Sequence, residues 1–84
     1  MNDESLIESL LPAVEQQMES KDTPYVKKTF TRLVEEEKMS PEESLEAIAL
    51  CLADESNRMY IDKRNFDEAR YQELLNRLPE MLDE

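Results

Sequence analysis

Glycine is absent from all 84 residues, and so are histidine and tryptophan; cysteine occurs once. Without glycine, tight hairpins and phosphate-cradling loops lose the residue that reaches positive φ and allows close backbone approach at little cost. Without histidine, the commonest general base and the commonest transition-metal ligand are both missing. A single cysteine, Cys51, excludes an intrachain disulfide framework and fits a reducing compartment. Long apolar runs are also missing, so no segment reads as a membrane span. The start, Met1-Asn2-Asp3-Glu4, lacks the basic residues of a secretory signal, and a cytoplasmic location is expected.

What is present is acid and helix formers. Twenty-one acidic residues against ten basic ones leave a net charge of −11. That balance opposes binding to nucleic acid, which is driven by Lys and Arg releasing counterions, and opposes anionic membrane surfaces. It favours solubility and permits fast encounter with a basic partner. The length allows one domain, spanning residues 1–84, with one small core.

Four amphipathic segments follow from apolar periodicity. The first, over about 3–19, carries Leu6, Ile7, Leu10, Leu11, Val14 and Met18 on one stripe. Its start is capped by Asn2 or by a box from Ser5 to Glu8, and Pro12 inside it predicts a kink. The second opens at Thr23-Pro24 and runs to about residue 37, with Val26, Phe30, Leu33, Val34 and Tyr25 inward and Lys27, Lys28 and Arg32 on the other side. Glu35-Glu36-Glu37 opposes the helix dipole at its end.

The third, about 41–61, has the sharpest start: Ser40-Pro41-Glu42-Glu43 joins an N-cap, a proline at the first helical position and an acid two residues later. Leu45, Ile48, Leu52 and Met59 form its stripe, widened by Ala49, Leu50 and Cys51. A helix apolar on so much of its circumference is central or shared with a partner. The fourth, about 67–78, is capped by Asp67, faces inward through Tyr71, Leu74, Leu75 and Leu78, and stops at Pro79. A last loose turn through Met81 and Leu82 follows.

Candidate chemistry is thin. Cys51 lies in the most apolar stretch and reads as a core thiol, since an activated thiolate needs a cationic, partly exposed setting. Glu42 and Glu46, one turn apart, are the weak candidates for a metal site, with Glu15 and Glu19 paired similarly and Asp54-Glu55 further along. Bundle di-metal centres add a Glu-x-x-His motif that is missing here, so these carboxylates read as solvated helix faces. Lys27, Lys28 and Arg32 suit an anion, or simply neutralise neighbouring acids.

Several stretches, Pro24-Tyr25-Val26, Thr31-Arg32-Leu33-Val34, the run from Ser40 to Ile48, and Phe66-Asp67-Glu68-Ala69-Arg70-Tyr71 leading to Leu75 and Leu78, resemble a bacterial family of helical domains of unknown function, family 1841 of that class. The resemblance covers the chain from Gln17 onward and implies an all-helical fold. Members of that family carry paired histidines one turn apart on the first and third helices, which implies a metal site. The corresponding positions here are Ile7 and Leu11, then Glu42 and Glu46, and two apolar residues cannot ligate a metal. The family's glycine after the second helix is Lys38 here, so a differently built turn is expected.

The expectation is therefore an all-α protein, a small four-helix bundle with short connections and the third helix central. It has no catalytic residue and no cofactor, and works as a non-enzymatic protein–protein interaction module that self-associates as a homodimer. Leu50, Cys51 and Met59 are the interface candidates. Neither nucleic acid nor membrane is expected as a partner, and a small-molecule ligand is left open. Two alternatives stay open: an acidic inhibitor or immunity-type protein masking a basic surface, and a carboxylate metal binder.

Overall fold

A computed structural model of the chain describes residues 3–80, with side chains from Glu8 onward. Four helices follow one another: α1 (Asp3–Glu19), α2 (Pro24–Glu35), α3 (Pro41–Asp62) and α4 (Glu68–Asn76). No strand occurs among the described residues, and none of the helices is long and apolar enough to cross a membrane. The fold is an all-α bundle of four helices, as the periodicity implies. The expected caps at Asn2 and Ser5, the inward positions of Leu6 and Ile7, and the turn through Met81 and Leu82 lie outside the described side chains.

One core unites the helices. Val14 enters it from α1, Val26 and Leu33 from α2, Ala47, Ile48, Ala49, Cys51 and Leu52 from α3, and Tyr71, Leu74 and Leu75 from α4, with Leu78 just beyond. Leu10, Leu11, Met18, Tyr25, Phe30 and Leu45 pack against its margin. α3 contributes more of the core residues than any other helix and touches all three others, which makes it central. Tyr71 ties the bundle together: its hydroxyl donates to Gln17 Oε1 at 2.7 Å. Its ring stands edge-on to Tyr25 and Phe66, at centroid distances of 6.0 and 5.4 Å. Burial pushes the Tyr71 hydroxyl well above the usual phenol range, so it remains a proton donor in that bond.

The caps follow the sequence at two of three starts. Ser40 Oγ accepts from the Glu43 N–H at 3.1 Å while the Ser40 N–H reaches Glu43 Oε1, a complete capping box. Asp67 Oδ1 accepts from the Arg70 N–H at 3.1 Å. Thr23 is the exception: its hydroxyl donates back to Gln17 O at 2.7 Å, tying α2 to the end of α1, and α2 has no side-chain cap. α1 continues through Pro12 as one helix.

The helix ends correct two expectations. α2 stops at Glu35 and α4 at Asn76, each about a turn or less before the sequence suggested. The turns after α2 and α3 are built without glycine by placing lysine in the left-handed region, Lys38 at φ 60° and Lys63 at φ 53°. After α3 this gives two backbone bonds onto one acceptor, from Lys63 N–H and Arg64 N–H to Met59 O. The missing glycine thus excludes neither turn; lysine adopts the conformation at a cost of about 1–2 kcal/mol each.

Candidate functional site

Three places hold chemistry: a buried carboxylate between α3 and α4, a basic hollow beside α2, and the outer stripe of α3. The first is the most ordered. Glu55 is fully buried, although in so acidic a chain it reads as one more solvated carboxylate. It accepts from both Arg64 terminal nitrogens at 2.7 and 3.1 Å, from Arg70 Nη1 at 2.8 Å and from the Asp67 backbone N–H at 2.8 Å. Arg70 Nη2 also reaches Asp54 Oδ2 at 2.7 Å. The hydrogen bonds from Arg64, with those from the Asp67 N–H and Arg70, outweigh burial and hold the Glu55 carboxyl down at about 2. Glu55 stays an anion and fixes the start of α4: it holds the N–H of the very residue that caps that helix. Its signal in the sequence is position, three residues after Leu52 and seven after Ile48 on the inward stripe.

Such an arrangement is a structural clamp. Both carboxylate oxygens are engaged, and no proton is available at neutral pH for acid–base work. Among the described residues every buried side-chain nitrogen and oxygen has a partner, so no polar group waits in the core for a ligand.

Cys51 is wholly buried, which corrects its place among the interface candidates: its thiol belongs to the core and offers nothing to a second chain. Burial and the nearby Asp54 push the thiol up to about 12, away from nucleophilic thiolate. Met59 is half-buried one turn beyond Glu55, and Leu50 is half-buried toward the outside. Glu42 and Glu46 are both exposed, and no three of His, Cys, Asp or Glu among the described residues are grouped as metal ligands would be.

The basic cluster on α2 divides. Arg32 is turned inward, donating to Leu75 O at 2.9 Å and Leu78 O at 2.7 Å, and so ties α2 to carbonyls at and just past the end of α4. Lys27 and Lys28 remain exposed. With Met18, Pro24 and Thr31 they line an open hollow of about 530 Å³ between the end of α1 and α2, where Glu19 and Glu36 counter their charge.

The outer stripe of α3 is the remaining feature. At 100° per residue, Glu42, Glu46, Leu50, Ala53, Asn57 and Tyr60 fall on one side, opposite the inward set of Ser44, Ile48, Cys51 and Glu55. Leu50 and Ala53 are half-buried; Tyr60 is 85 % exposed and its neighbour Ile61 55 %. Glu42, Glu43 and Glu46 are exposed at the start of α3; Arg58 is exposed near its end but lies about 120° around the helix from Glu46, and Lys63 follows the last helical residue. Tyr60 and Ile61 have the highest exposures of the large apolar residues described, and the interface candidates chosen from sequence did not include them. Their signal was local: adjacent large apolar residues just past the last residue of the α3 core stripe.

No family model matches the chain, and neither a curated protein nor a solved structure does.

Proposed function

We propose that this chain is a non-enzymatic protein-binding module whose binding face is the outer stripe of α3, centred on Leu50, Ala53, Tyr60 and Ile61. The observation that carries the reading is the exposure of Tyr60 and Ile61 side by side at the end of the central helix. A tyrosine offers a large, rigid, amphipathic contact, the type of side chain enriched where binding energy concentrates. The interior supports it by default: Glu55 is locked as an ion, Cys51 is protonated in the core and Arg32 is spent on α4. Exposed carboxylates sit on all four helices, so they offer a basic partner no single face.

The test compares the native chain with the double variant Tyr60→Ser, Ile61→Ser by native size-exclusion of cell extracts. Both positions are exposed, so the circular-dichroism melt should change little. The expected outcome is that the native chain elutes in a complex and the variant elutes at its own 9.9 kDa mass. Identical elution of the two would refute the binding face.

A further inference from the structure

We infer that the occupant of that face is an amphipathic helix of another protein, apolar over about three turns and carrying Lys or Arg one to two turns further along. The inference rests on the reading of α3 as the binding face. Charge on the outer stripe has one sign. Glu42 and Glu46 lie on it about 40° apart, both exposed, and neither has an ion-pair partner among the described residues. Glu43 is engaged in the capping box, Asp54 with Arg70 Nη2 at 2.7 Å and Asp62 with Arg64 Nε at 3.5 Å. No cation shares the stripe: Arg58 lies about 120° around α3 from Glu46, and Lys63 follows the last helical residue.

The stripe is also divided along its length. Leu50 to Ile61 spans about 17 Å, and Glu46 and Glu42 stand about 6 and 12 Å before Leu50. A straight strip about 100° wide matches the ridge of a second helix, and Ala53 at mid-length lets two helix axes approach to about 8–10 Å. Apolar side chains of such a helix cover Leu50, Tyr60 and Ile61. Its Lys or Arg stems run on over the α3 surface, and their charged heads meet Glu46 and Glu42 at the hydrated edge. Carboxylates on the other helices attract a cationic segment at long range without choosing a face; the apolar end of α3 chooses it. A second copy, the occupant expected from sequence, fits poorly. Parallel packing sets acid against acid. Antiparallel packing sets Glu42 and Glu46 of each copy against Tyr60 and Ile61 of the other, where no cation on the stripe meets them.

Fluorescence anisotropy of labelled synthetic peptides with the full chain, at physiological salt, is the test. The probe is a helical peptide of about 20 residues, with Leu at helical spacing over three turns and Lys on the same face of the next two. It should bind in the micromolar range, roughly tenfold more tightly than the same peptide with Glu in place of Lys. Glu42→Gln with Glu46→Gln should weaken the Lys peptide roughly tenfold. Glu15→Gln with Glu19→Gln removes the same net charge from exposed positions on α1 and should change binding by less than about twofold. Equal loss from both pairs means attraction by net charge alone and overturns the inference, as does a Glu peptide that binds as well as the Lys peptide. Sedimentation of the chain alone as a dimer that Tyr60→Ser, Ile61→Ser abolishes also overturns it, in favour of a second copy. The two readings fail separately. Binding of the Lys peptide that survives Tyr60→Ser, Ile61→Ser refutes the face and the inference with it. Binding lost there but unmoved by Glu42→Gln, Glu46→Gln leaves the face and overturns its cationic occupant.

Discussion

Glu55 and Arg64 meet in a two-pronged ion pair across the α3–α4 turn, with Nη1 2.7 Å from Oε2 and Nη2 3.1 Å from Oε1. The carboxylate is buried and the guanidinium half-exposed, so the protein gains a fixed loop geometry while the arginine keeps part of its hydration. Arg70 and the Asp67 N–H complete the shell.

Glu55→Gln should therefore destabilise the fold by about 2–3 kcal/mol, the range for losing hydrogen bonds to a charged group when the arginines left behind can rehydrate. Urea denaturation followed by circular dichroism measures it. A change below about 0.5 kcal/mol, the size typical of a surface substitution, would show that the clamp is not a source of stability.

The same pair sets a pH dependence. Glu55 has its carboxyl lowered from 4.5 to about 2 in the fold. A depressed carboxylate stabilises the native state fully above its unfolded value and loses that contribution as pH falls through the folded one. The stability gap between the native chain and Glu55→Gln should stay constant from pH 7 down to about 4.5 and close toward pH 2. Subtracting the variant removes the effect of the other carboxylates, whose mutual repulsion also fades in acid. A gap that closes already above pH 5 would contradict the assignment.

Lys38 and Lys63 carry a conformation that glycine adopts more easily. Lys63→Gly and Lys38→Gly should each stabilise the fold by about 0.5–1 kcal/mol, the left-handed penalty relieved less the extra entropy glycine gives the unfolded chain. Thermal melts of the single variants check this, and a loss of stability at both sites would show that the lysine side chains contribute more than their backbone strain.

Cys51 should resist thiol reagents in the native state. With the thiol buried and pushed up to about 12, labelling requires opening of the core, so its rate should follow the population of the unfolded form as urea is added. Fast labelling in buffer by a disulfide reagent would place the thiol outside the core.

Most of the fold was legible in the sequence because each helix has a consistent apolar face. Ser40 and Asp67 declare their helices through chemistry that works within four residues, and the structure places both caps as expected. What was illegible depends on contacts between distant segments. Glu55 looks like any other acid until Arg64 and Arg70, 9 and 15 residues later, are folded onto it. Arg32 looks like a surface cation until the end of α4 arrives beside it. The turns failed for a different reason. Backbone strain at Lys38 and Lys63 is tolerated because the surrounding bonds over-determine it, and composition alone suggests that it would be avoided. Of the interface candidates, Leu50 lies on the outer stripe, Met59 is half-buried, and Cys51 is core because helical phase turns it a half-circle from Tyr60.

The most direct test of the binding face is a positional photo-cross-linking scan in living cells, with benzoylphenylalanine placed in turn at Asn57, Tyr60, Glu15 and Lys28. All four sites are exposed, so the probe does not disturb the core. Adducts from positions 57 and 60, with none from 15 or 28, are the expected result, and their mass tells a second copy from another protein. Adducts from position 28 or 15 with none from 57 and 60 would move the binding surface off α3 and contradict the proposed function.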